Sequence, residues 1–122
     1  MNVALWIGQG VLAAVFALSG ALKSTQSKER MLATGQTGVR DVPLPAIRLI
    51  AACELLAVTG LLVPTATGIV PVLTPLAALG LAVVMVGAGA AHARLREPRT
   101  VAVNAVILLV CLAVAVGRFA GA

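Results

Sequence analysis

Apolar positions in this chain run in long blocks. Residues 3–22 carry no charge, and Gln9 and Ser19 are the only plainly polar members of that block. A second block, 45–63, is interrupted by Arg48 and Glu54. A third covers 72–91, and a fourth, 101–120, holds Asn104 near its start and Arg118 near its end. A helix needs about 20 apolar residues to cross the hydrocarbon core of a bilayer, so each block predicts a transmembrane helix. The fold class expected is all-α, with residues 1–122 forming one membrane domain. The first block does not read as a signal peptide, because no positive charge precedes it and the run is too long for a signal core.

The connections set the expected topology. Residues 23–44 form the longest polar segment, with Lys23, Lys28, Glu29, Arg30, Arg40 and Asp41 around Gly35 and Gly38. Ser24 or Thr25 is expected to cap a short interfacial helix that Gly35 stops. Pro45 suits the first turn of the second span. Pro64, Gly68 and Pro71 read as an uncharged turn, Pro75 fits the opening turn of the third span, and His92 to Arg99 make a compact basic loop. Connections this short predict an antiparallel four-helix bundle, up-down-up-down. Small residues four apart (Gly10 with Ala14, Ala17 with Ala21, Gly87 with Ala91) would permit close backbone approach, although an Ala- and Gly-rich chain shows such pairs by chance.

Composition agrees with a lipid environment. Hydrophobic residues make up 61% of the 122 and charged residues 11%, against about 45–50% and about 25% in soluble domains. A small soluble domain could not hide that apolar surface. The net charge of +5 would raise nucleic acid as a partner, but there is no recognition motif, and two Phe, one Trp and no Tyr offer little base stacking. The cations instead gather in two loops: Lys23, Lys28, Arg30 and Arg40 in one, Arg94, Arg96 and Arg99 in the other, with none between Pro64 and Pro71. The positive-inside bias then places both basic loops in the cytoplasm and both termini outside, in a bacterial-type plasma membrane. Cys53 and Cys111 lie within apolar runs and read as buried free thiols acting as small hydrophobes.

Charged groups inside a span cost about 2.5–3.5 kcal/mol each on insertion scales, so those present need a reason. Glu54 stands nine residues beyond Pro45, about 13 Å into the membrane and too deep to snorkel. Lys23, Arg48, His92 and Asn104 lie nearer the cytoplasmic boundary, while Arg118 lies about 21 Å from Asn104 along the axis. The inner half of the bundle should therefore gather polar residues around one acid, leaving the outer half nearly featureless. Glu54 is either a protonatable group in a ligand cavity or one half of an ion pair or hydrogen bond locking the bundle. Arg48 lies roughly 240° around the same helix from it, so an interhelical partner is expected. Catalytic candidates are Glu54, Arg48 and His92; ligand-binding candidates are Lys23, Asn104 and Arg118. No spacing suggests a metal site, and no phosphate loop or nucleophile–base motif is visible.

Ser19–Lys23 (SGALK), Arg48–Leu56 (RLIAACELL), Thr74–Leu81 (TPLAALGL), Met85–His92, and Asn104 followed by Gly117–Arg118 together resemble the DoxX-like family of small four-helix membrane proteins. The resemblance covers nearly the whole chain and implies that Lys23, Arg48, Glu54, His92, Asn104 and Arg118 are its characteristic polar positions. It also implies association with membrane oxidoreductases that oxidise quinol or thiosulfate. No ligand for a redox cofactor is visible, so electron transfer would need a cofactor or partner from elsewhere. Three functions are weighed. The first is a binder of an apolar ligand such as a quinone or lipid, or an accessory subunit with a membrane-protein partner or a second copy. The second is an enzyme on a lipophilic substrate with Glu54 as general acid/base. The third, a proton-coupled transporter, is disfavoured by the position of the acid and the shortage of aromatics.

Overall fold

The computed structural model describes residues 2–121. In chain order the elements are α1 (Asn2–Thr25), α2 (Lys28–Ala33), a 3₁₀ turn (Thr37–Val39), α3 (Leu44–Thr67), α4 (Leu73–Arg94) and α5 (Pro98–Phe119). No strand occurs among the described residues. Helices α1, α3, α4 and α5 are each long and apolar enough to cross a membrane. Helix α1 packs against α3 and α5, and α4 packs against the same two, so the four close a ring. Leu12, Phe16, Leu61, Leu81, Cys111 and Val114 fill its centre. Ile7, Leu18, Leu49, Leu56, Val83 and Leu109 point outward, an arrangement that lipid tolerates and water would not.

Without a hydrophobic drive between helices in lipid, close packing at small residues holds them together. Gly10 and Gly87, expected from their spacing, are not among the residues that do this. A Cβ on Gly10 or Gly87 would meet nothing within 4 Å. On Gly20 it would lie 2.8 Å from Leu55 Cγ and 3.3 Å from the Ala51 carbonyl, and on Gly60 it would lie 3.0 Å from Ala77 Cβ. Gly117 faces Leu5 as closely, and Gly8 faces Val114.

Pro64, expected in a turn, lies inside α3, which continues to Thr67 and ends at Gly68 in the left-handed region. A proline within a helix leaves the carbonyl four residues back without its amide; here that is Gly60. Thr74 of α4 donates its hydroxyl to Gly60 O at 2.9 Å, and Thr65 Oγ1 lies 2.6 Å from the same hydroxyl. A side chain from the next helix thus replaces the missing donor.

The polar loop is folded. Ser27, not Ser24 or Thr25, caps α2, accepting from Arg30 N. Ser24 and Thr25 instead lie in the last turn of α1 and donate back to Gly20 O and Ala21 O. Gly35, at φ +98°, ends α2 as expected. Its N–H and that of Gln36 reach back to Leu32 O and Met31 O, the paired closure a left-handed residue permits. Met31, Val39 and Ile47 form a small core that seats the loop on α3, and Lys28 Nζ donates to Val42 O at 2.7 Å. Cys111 is buried, but Cys53 is exposed on the outside of α3, contrary to expectation.

Candidate functional site

Gly20 lets α1 and α3 approach, and one turn later Lys23 reaches across the contact. Its Nζ lies 2.7 Å from Glu54 Oε1; the Glu54 side chain is 0% exposed and that of Lys23 16%. Glu54 Oε2 is buried with no hydrogen-bond partner among the described residues. Arg48 makes no bond to Glu54: its Nη1 donates to the carbonyl of Lys23. That carbonyl belongs to the last turn of α1, where carbonyls lack amide partners and a cation is favoured. Arg48 therefore stabilises the helix end from which Lys23 projects.

Beside this pair lies a cavity of about 480 Å³. Phe16, Ser19 and Lys23 line it from α1, Ile47 and Ile50 from α3, Met85, Ala88 and His92 from α4, and Asn104 and Ile107 from α5. Gln36, Gly38, Val39 and Val42 of the loop line it as well. Glu54 is not on the wall; Lys23 is. Asn104 is 8% exposed, and its Nδ2 has no partner among the described residues. Gln36 Nε2 is likewise buried and unpartnered.

The loop is tied down by one carboxylate. Glu97, which precedes Pro98 at the start of α5, accepts from Thr37 Oγ1 at 2.8 and 2.9 Å through its two oxygens, and its Oε1 lies 2.8 Å from His92 Nδ1. The bonds to His92 and then Thr37 hold the Glu97 carboxyl below the usual carboxylate range. A Cβ on Gly38 would meet His92 Nε2 at 2.9 Å, so the loop backbone rests directly on the imidazole.

Arg118 belongs to a separate cluster at the end of the bundle where α1 begins. Its Nε donates to Gln9 Oε1 and its Nη1 to Asn2 Oδ1, both at 2.7 Å. Its guanidinium sits 5.6 Å from the centre of the Trp6 ring, within cation–π range. Gln9 in turn donates to Leu61 O. With Thr65 and Thr74, this end is far from featureless.

Of the residues singled out from sequence, Lys23, Glu54 and Arg48 meet, and Lys23, His92 and Asn104 share the cavity wall. Arg118 does not join them. Gln36, Thr37 and Glu97 went unnoticed because they lie in polar loops, where a charged or amide side chain carries no insertion cost to mark it. Glu97 five residues beyond His92 was the one signal available. Among the described residues no group of three His, Cys, Asp or Glu gathers as a metal site would require.

No curated protein and no solved structure matches the chain. Four membrane-length helices, a Lys–Glu pair between the first two of them and an Asn in the last are the setting for a family match that runs from α1 into α5. The family model described as the DoxX-like family matches residues 7–114, and this chain, a multi-pass membrane protein, belongs to that family.

Proposed function

We propose that the protein binds a small lipophilic ligand carrying a carbonyl-type oxygen, of the quinone class, in the cavity beside Lys23, His92 and Asn104. The observation that carries this reading is the Asn104 carboxamide. It is almost wholly buried, unpartnered, and set in a wall otherwise made largely of Phe, Ile, Val, Met and Ala. Buried amides normally find partners, and a pocket with apolar walls and few fixed polar groups suits a small ligand. Asn104 would donate to the ligand oxygen, and the Lys23 ammonium would favour electron density there. The residues present fit a quinone, whose redox chemistry would be completed by a membrane oxidoreductase partner that this chain serves as accessory.

Glu54 as a direct general acid/base is the weaker reading, because Lys23 lines the cavity and Glu54 does not. Its role here is to hold the Lys23 charge in place. Opposite chain senses of neighbouring helices support the up-down-up-down bundle: Gln9 meets Leu61 while Lys23 meets Glu54. The basic loops would face the cytoplasm.

Native mass spectrometry of protein extracted in mild detergent tests the binding. A lipophilic adduct on the wild type that is lost in Asn104→Leu is expected. An adduct retained equally in the variant refutes the site.

A further inference from the structure

We propose that Gln36, in the loop, is the second hydrogen-bond donor to the bound ligand, so that the site takes an uncharged head group with two acceptor oxygens. The proposal rests on the reading of the cavity as a ligand site and specifies its ligand. Gln36 and Asn104 are the two carboxamides on the cavity wall, one from the loop and one from α5, and each has a buried NH₂ without a partner. Each buried amide without a partner among the described residues calls for an explanation, and one ligand against that wall supplies it for both. Gln36 is also held in position. Its own N–H bonds Met31 O at 2.9 Å behind the Gly35 turn, and the next residue, Thr37, is fixed to Glu97. The head group is uncharged because Lys23, the cation at the wall, is already matched by Glu54, and the His92 ring is engaged with Glu97 through Nδ1. Arg94 is exposed at the rim. A 1,4-dione presents two acceptors and no charge. The loop, by supplying one of the two donors, becomes part of the binding site as well as its cover.

The test is the Kd of a short-chain 1,4-benzoquinone for the purified full chain in detergent, compared across wild type, Gln36→Met and Asn104→Leu. Gln36→Met keeps the length and removes the donor. Each variant is expected to raise the Kd about tenfold, roughly the effect of one lost hydrogen bond, with an unchanged melting temperature. If Gln36→Met melts early, Gln36→Glu, which replaces the donor with an acceptor, must show the same weakening. A wild-type Kd in Gln36→Met beside a weakened Asn104→Leu overturns the role of Gln36 and leaves the cavity reading intact. Wild-type affinity in both, or no binding by the wild type, removes the cavity reading and this proposal with it.

Discussion

Lys23 and Glu54 form an ion pair 2.7 Å long between α1 and α3, with the carboxylate fully enclosed and the ammonium at the cavity wall. Removing one member of such a pair is costlier than replacing both. A lone buried charge keeps its desolvation penalty, and breaking a buried pair by single truncation costs about 3–5 kcal/mol. Lys23→Met is therefore expected to lower the unfolding midpoint in detergent strongly, and Lys23→Met with Glu54→Leu to regain most of the loss. A double variant destabilised by the sum of the Lys23→Met and Glu54→Leu losses would show that the pair contributes no coupling.

Thr74 supplies the donor that Pro64 denies to Gly60. Thr74→Val leaves a buried carbonyl unsatisfied, at about 1–3 kcal/mol. Adding Pro64→Ala restores a backbone N–H to α3, which should make Thr74→Val much less damaging in that background. A double-mutant cycle on thermal stability measures this. Strict additivity would mean that Gly60 O does not depend on Thr74.

The spans were legible because their lengths and lack of charge are local properties. Which face of each helix turns inward was not. In lipid both faces are apolar, so the periodicity that marks a buried stripe in a soluble helix is absent. Hence Cys53, outward, and Cys111, inward, looked alike, and Gly10 looked as good a contact as Gly20. The Lys23–Glu54 pair was visible as one of a few candidate partners, since a deep acid demands one. The Gln9–Arg118 contact, 109 residues apart, and the extension of α3 through Pro64 depend on neighbours that no local window contains.

The link between loop and helices should weaken in acid. Glu97 has its carboxyl lowered from the ordinary value of 4.5, first by the bond to His92 and then by that to Thr37, with smaller attraction from the His92 and Arg40 charges. A lowered folded-state value means that its contribution is fully present above about pH 4.5 and is lost as the pH falls through the folded value. Protection factors of residues 28–42, corrected for the intrinsic pH dependence of amide exchange, should therefore fall below that pH in the wild type. In Glu97→Gln the loop should exchange faster already at neutral pH, with a smaller acid step. Wild-type protection factors that stay constant as the pH falls well below 4.5 would contradict this role for Glu97.

Gly20 and Gly10 make a matched comparison on one helix. Alanine at Gly20 places its methyl 2.8 Å from Leu55 Cγ and 3.3 Å from the Ala51 carbonyl, and the latter is helix backbone that cannot swing aside. Overpacking of this kind costs typically about 1–3 kcal/mol. It would also lengthen the reach from Lys23 to Glu54, since the lysine leaves α1 one turn beyond the contact. Gly10→Ala meets nothing within 4 Å and gains helix propensity, so it should be neutral or slightly stabilising. Melting of the two variants in the same detergent decides the matter. If Gly20→Ala melts with Gly10→Ala, then α1 and α3 are not in contact at Gly20, and the basis for the placement of Lys23 fails with it.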